Sequence, residues 1–345
     1  MNLAWKEMKK NKAKFLILGS IIFLVSLLTF IISGLANGLS QDNAALIKDL
    51  PEGQFYMNEN ADKTFTLSQI DSGTQQKVME KHKDASALSI QMGFVNDEDG
   101  KQQSVAFVAS TDCTYLPKIK AGEILLDSTM EKKGINVGDM LTNNQFKGSF
   151  KVKGFIDQKK FSHAPVAFIN KDDYKKMYRT DEMQLIFVPG ANNTADTFPG
   201  LQGFSKQAFL KTIPSYQAEQ MSLNMIVWFL VVISGMLFAI FFYMMNVQKI
   251  GLYGILKAIG LKTSRLFRMM WTQMILITAA SLVLAIIFSQ FFKMVAPEGM
   301  PFHLTMETTA QLSGIFLMIG FIGATLSGIQ MKKVQPLQAI QQGEM

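Results

Sequence analysis

The chain has 345 residues, a formal net charge of +7 and 48% hydrophobic residues, with a mean hydropathy of +0.17. That hydropathy is high for a water-soluble protein, and the lone cysteine, Cys113, excludes an intrachain disulfide. The basic excess comes without an aromatic-rich RNA or DNA motif, so it does not indicate a nucleic-acid partner.

Residues 1–14 form a basic segment with Lys6, Lys9, Lys10, Lys12 and Lys14. The uncharged apolar run that follows spans 15–40 and is too long for the apolar region of a signal peptide. It also ends in "ISGLANGLSQ" without a convincing cleavage site, so it is expected to remain as transmembrane helix one. Residues 41–215 have ordinary polar composition, enough for one globular domain. "KQQSVAFVAS" and "SFKVKGFID" alternate as strands do, and "APVAFIN" reads as a short apolar strand. "DSGTQQKVMEKHK" reads as a helix capped by Asp71 or Ser72. Gly134 and Gly138 punctuate turns, and the run Asp97, Glu98, Asp99, Gly100 reads as a turn lacking the further ligands of a calcium loop. The pattern is α+β. His82 lies in a charged helix, His163 has no close Cys or carboxylate at metal-ligand spacing, and a surface or structural role is expected for both.

Three more uncharged runs follow, each long enough to cross a bilayer. Helix two is expected at 216–248, a loop at 249–267, helix three at 268–292, a short hairpin at 293–307, helix four at 308–331 and a tail at 332–345. The loop carries Lys249, Lys257, Lys262 and Arg265 and no acid, Arg268 stands at the start of helix three, and Lys332 and Lys333 follow helix four. The Lys/Arg bias therefore puts both termini and the basic loop in the cytoplasm, and the large domain and the hairpin outside. Gly34 and Gly38 lie four apart in helix one, as do Gly320, Ala324 and Gly328 in helix four. Small residues at that spacing let helices approach closely, first of all within one protomer.

The chain has no G-x-x-x-x-G-K-[ST], G-x-S-x-G, H-E-x-x-H or C-x-x-C. It therefore shows no nucleotide-hydrolysing or other catalytic chemistry of its own. Four helices hardly enclose a solute path, so any transport is expected to draw on outside energy and a second copy.

One helix, a large outer domain, three helices, the segment "GILKAIG" and the tail "VQPLQAI" together resemble the MacB/FtsX-type permeases of ATP-binding cassette transporters. "GEILLDSTMEKKGINVGDML" is similar to that family's extracytoplasmic module. More narrowly, "TFIISGLANGLSQDN", "SYQAEQ" with "LNM", and "VQKIGLYGILKAIG" resemble HrtB-type permeases, which export heme from Gram-positive bacteria. The resemblance implies a multi-pass cell-membrane homodimer with no cofactor of its own, heme as substrate and an HrtA-like ATPase partner. It implies that Gly254, Ile255, Leu256, Lys257, Ala258, Ile259 and Gly260 form a coupling helix for that ATPase. Apolar Leu252, Ile255, Leu256 and Ile259 do recur there at helical spacing, which also suits a helix lying on lipid headgroups.

Heme iron accepts His, Met, Tyr or Cys ligands. In "IPSYQAEQMSLNM" a helix would put Tyr216 and Glu219 on one face and Met221 and Met225 on another. Across a dimer axis these residues are the expected heme contacts, with Gly34 and Gly38 leaving room for the flat ring and His303 in reserve. The plainer reading makes Tyr216 part of the interfacial aromatic belt and Glu219 a partner of the helix dipole. With 23 methionines in the chain, a Met pair alone means little. Alternatives are export of another lipophilic or peptide substrate, or an FtsX-like signal transmitter that moves nothing.

Overall fold

The computed structural model describes residues 2–190, 197–297 and 300–333. The tail motif at 336–340 lies outside them. The helices are α1 (Asn2–Lys10), α2 (Lys12–Lys48), α3 (Ser72–Lys81), α4 (Lys171–Tyr178), α5 (Lys206–Leu210), α6 (Pro214–Val247), α7 (Ile250–Ala258), α8 (Thr263–Val295) and α9 (Met306–Lys333). The strands are β1 (Gly53–Asn58), β2 (Ser86–Asn96), β3 (Gln102–Ser110), β4 (Glu123–Asp127), β5 (Met140–Asn143), β6 (Phe146–Ile156), β7 (Lys160–Phe161), β8 (Ala164–Ile169), β9 (Leu185–Pro189) and β10 (Leu201–Ser205). Two compact units result: Met1–Gly38 with Ser222–Met345, and Leu39–Met221.

In the first unit, α2, α6, α8 and α9 supply four helices long and apolar enough to cross a membrane. Only 22–39% of each span is buried. Much of the rest, including Trp228, Phe229, Leu284 and Phe291, is exposed apolar surface. A helix that is apolar all round and yet exposed needs lipid as its solvent. Some hydroxyls in the spans bond back to their own helix, as Thr29 does to the Val25 carbonyl (2.8 Å) and Ser234 to that of Leu230 (2.6 Å), and Ser281 of α8 donates across to the Gly19 carbonyl of α2 at 2.9 Å.

The small residues of α9 meet large partners. A Cβ on Gly320 would lie 3.0 Å from Met274 Sδ, and one on Gly328 would lie 2.6 Å from Phe267. These glycines therefore serve packing within one protomer. Gly34 and Gly38 do the same. A Cβ on Gly34 would lie 2.4 Å from the Phe302 ring, and one on Gly38 would lie 2.0 Å from the Pro301 carbonyl oxygen. The His303 amide donates to the Gly34 carbonyl at 2.8 Å. The segment before α9 thus lies directly on the glycine face of α2.

The second unit is a mixed α/β domain around one sheet of order β10-β1-β9-β2-β3-β8-β4-β6-β5. A bridge from Asn96 to Thr142 pairs β5 back onto β2, so the last six strands close into a ring. Val105, Phe107, Leu126, Leu141, Phe150 and Val152 fill its interior. A separate core of Leu46, Ile47, Phe55, Phe65, Phe187, Phe209 and Ile213 packs the last turn of α2 against β1, β9 and α5. Local chemistry is as the residues dictate. Asp71 caps α3 by accepting from the Gly73 and Thr74 amides, both at 2.9 Å. Gly134 and Gly138 adopt φ of 95° and 99°, conformations that favour glycine.

The backbone contact at Gly38 leaves no flexible neighbour to yield. Gly38→Ala should therefore lower thermal stability of the detergent-purified protein, by about 1–3 kcal/mol for an overpacked site. Gly314→Ala is the control. It lies inside α9, its Cβ would meet nothing within 4 Å, and helix propensity favours Ala. Thermal unfolding of both proteins checks this, and a Gly38→Ala protein that melts with the wild type would refute the close-packing account.

Candidate functional site

Within the unit Leu39–Met221, α2 is broken near its end. Ala44 has φ −140° and ψ 20°, which interrupts the helical ladder. The freed carbonyls are taken by the turn between β7 and β8. The Ser162 amide donates to the Asn43 carbonyl (2.8 Å) and the His163 amide to the Asp42 carbonyl (3.2 Å). Phe161 pairs with Ala164 across this turn, and its two central residues have φ of 47° and 62°. A two-residue hairpin with both φ positive has the sense of a type I′ turn. Ser and His there forgo the usual Asn-Gly at a conformational cost of about 1–2 kcal/mol each. The two carbonyl bonds offset that cost, and Lys160 reinforces the join by pairing with Asp42 at 2.6 Å.

This strained turn delivers the His163 ring to α6, with Nε2 2.8 Å from Glu219 Oε1. Glu219 Oε2 accepts from the Asn43 Nδ2 amide at 3.1 Å. Asn43 is fully buried, and its Oδ1 accepts from Ser215 Oγ at 3.2 Å. Tyr216, one turn before Glu219 on α6, joins a second chain of hydrogen bonds. Lys48 Nζ donates to Ser40 Oγ, which contacts the Tyr216 hydroxyl at 3.4 Å. Lys48 Nζ also stands 5.4 Å from the centroid of the Tyr216 ring. Carboxylate, phenol, imidazole and ammonium are thus gathered at the end of α2 and the start of α6.

Of the residues singled out by sequence, the fold brings Tyr216 and Glu219 together here. Met221 and Met225 are exposed on α6. Gly34, Gly38 and His303 gather in the other unit, where the space expected above the glycines for a flat ring is filled by Pro301 and Phe302. Asn43, Lys48, Ser40 and His163 were not expected. The His163–Glu219 contact joins residues 56 apart, and no local pattern announces it.

At the other end of α6, α7 is a short helix closed by a Schellman turn. The Gly260 amide bonds to the Lys257 carbonyl and that of Leu261 to the Leu256 carbonyl, both at 2.9 Å, with Gly260 at φ 94°. Its apolar residues divide between two faces. Tyr253 is buried and Leu256 packs against the helix core, whereas Leu252, Ile255 and Ile259 are exposed. Leu256 therefore belongs to the inner face, not to the outward one on which sequence spacing groups it. The Tyr253 hydroxyl donates to Asn246 Oδ1 (3.2 Å), and Asn246 Nδ2 donates to Ser327 Oγ (2.7 Å). Burial, and then the nearby Glu7 carboxylate, hold the Tyr253 phenol above its ordinary range, so it remains a neutral donor. Lys249 forms a buried ion pair with Glu7 of α1, and Glu7 also accepts from Gln273 at 2.8 Å.

Residues 224–336 match the family described as FtsX-like permease C-terminal. Along its whole length the chain is similar to proteins named hemin transport system permease protein HrtB. The protein from Staphylococcus haemolyticus is 32% identical over 355 residues, covering 99% of both chains. One from Staphylococcus epidermidis is 28% identical over 356 residues, covering 100% of both. The crystal structure of the periplasmic region of MacB from Actinobacillus actinomycetemcomitans aligns with a TM-score of 0.34 and 9% identity, over 46% of this chain and 91% of that one. With four membrane-spanning helices, a mixed α/β unit between the first two and end-to-end similarity at this level, the chain belongs to the HrtB family of FtsX-like permeases.

Proposed function

We propose that this chain is the membrane subunit of an ATP-driven exporter that removes hemin from the cell membrane. The observation that carries the reading is the full-length similarity to relatives named for hemin transport. The chemistry at the start of α6 supports it. Ferric iron is a hard cation, and a phenol and a carboxylate one helical turn apart suit it. Tyr216 and Glu219 take those roles, with Met221, Met225 and His303 as further candidates. The chain works as a homodimer, both termini in the cytoplasm. A separate HrtA-like ATPase hydrolyses ATP and docks on α7, where Leu252, Ile255 and Ile259 offer an exposed apolar face. An absorbance spectrum of protein purified from hemin-fed cells tests the substrate. A Soret band is expected, and cells carrying the protein with its ATPase should survive added hemin better. A signal transmitter would give neither result.

Tyr216→Phe keeps the ring beneath Lys48 and deletes only the hydroxyl, and Glu219→Ala removes the carboxylate. Each should weaken hemin retention by roughly tenfold to a hundredfold, the value of one bond of about 1.5–3 kcal/mol to a charged partner. Expression and dimerisation should survive. Hemin titration of both variants decides the matter, and unaltered binding in both would move the site elsewhere.

Ile255→Asp or Ile259→Asp puts a charge on the exposed face of α7, where docking would have to desolvate it. Co-purification of the ATPase or hemin-stimulated ATP hydrolysis should fall while membrane insertion is retained. Leu256→Asp, aimed at the helix core, should instead lower stability. Normal coupling in the Ile255→Asp protein would remove α7 from the docking role.

A further inference from the structure

The lysines around the break in α2 are paired with acids. Lys159 holds Asp49 at 2.5 Å, Lys160 holds Asp42 at 2.6 Å and Lys206 holds Glu52 at 3.4 Å. Lys48 is different. Among the described residues no carboxylate lies within ion-pair reach of its ammonium. Its chain neighbour Asp49 is taken by Lys159 and by Gln41 Nε2 at 3.2 Å, and Glu219 is held by Asn43 and His163. Lys48 is nonetheless half-buried. A long lysine at a helix end ordinarily extends its charge into water. This one folds onto Ser40 and the face of Tyr216, an arrangement that orients the ammonium without neutralising it.

We propose that Lys48 is the anion anchor of the substrate site, taking a carboxylate of the ligand while Tyr216 and Glu219 face its metal. This inference rests on the hemin reading above and deepens it. Hemin carries its two carboxylates on one edge of a flat apolar ring, with the iron at the centre. Lys48 stands over the ring of Tyr216, so a carboxylate bound to it belongs to a ligand lying alongside that side chain. The Ser40 hydroxyl accepts from the ammonium and holds it in place beside Tyr216.

The test compares hemin with hemin dimethyl ester, in which both carboxylates are methylated and the iron is unchanged. Purified full-length protein in uncharged detergent is titrated with each and followed by absorbance. Wild type should bind hemin on the order of tenfold more tightly than the ester, the size of one partly desolvated charge pair. In Lys48→Gln, which keeps a donor for Ser40 and lacks the charge, hemin affinity should fall to that of the ester, with ester affinity unchanged. Lys48→Arg should keep most of the preference. Glu219→Ala should weaken both ligands alike. The anchor role is overturned if wild type binds the two ligands equally, if Lys48→Gln keeps the preference, or if Lys48→Gln loses both ligands together, as a structural lysine would. An anionic lipid as the true occupant would show as a preference abolished in wild type by added phosphatidylglycerol and restored by its removal, which also overturns the carboxylate assignment. Wild type that binds neither ligand overturns the hemin reading, and this inference with it.

Discussion

A break in a helix leaves backbone carbonyls that need donors, and the candidate site in the second unit depends on satisfying two of them. At Ala44 the ladder of α2 fails, and the carbonyls of Asp42 and Asn43 are met by the amides of Ser162 and His163. An orphaned buried carbonyl costs about as much as a lost hydrogen bond, so the break is tolerable only with that turn in place. The turn in turn holds left-handed conformations that Ser and His seldom adopt, stabilised by the same two bonds. Neither element makes sense without the other. Their joint product is the placement of two side chains, Asn43 and His163, on the two oxygens of Glu219.

The far end of α6 shows the same economy with different groups. Asn246 joins Tyr253 and Ser327, and Lys249 joins Glu7, so polar bonds reinforce the packing of Leu256 on the inner face of α7 while Leu252, Ile255 and Ile259 point outward. Polar networks buried this way are costly unless every member is paired, and once paired they specify one arrangement. α1 thereby becomes part of the helical core through an acid, where its five neighbouring lysines suggest only a surface charge.

The four spans were legible because lipid demands long uncharged runs and because nothing in the chain competes with that signal. The cap at Asp71, the strands in "KQQSVAFVAS" and "APVAFIN", and the turn glycines were legible because each depends on its own few residues. The flat-ring space at Gly34 and Gly38 was misread because a small-residue face says that something packs closely, not what. Phe302 and Pro301, over 260 positions away in the chain, are what packs there. Tyr216 and Glu219 could be paired from helical spacing, but their partners could not. Ser162 and His163 carry no turn signature of the Asn-Gly kind, so nothing local told that His163 would be held in a left-handed conformation against Glu219. Glu7 and Lys249 were hidden for a related reason, since both sit in segments whose composition reads as solvated.

The two oxygens of Glu219 are not equivalent, and the difference bears on how an incoming metal would meet the site. Oε2 is bonded to Asn43, which has no exposed surface, and Oε1 to His163, whose side chain is 36% exposed. Withdrawing Oε2 would strand a buried amide donor, at a cost of about 1–3 kcal/mol. Withdrawing Oε1 would leave an imidazole that water can reach. On the role proposed for Glu219, the cheaper exchange would give Oε1 to the iron and keep Oε2 on Asn43, leaving the carboxylate oriented. Asn43 in turn stays bonded to Ser215, in the same turn of α6 as Tyr216. A ligand entering this way would replace one partly solvated contact and leave the buried ones, and the break in α2 with its supporting turn would not have to change.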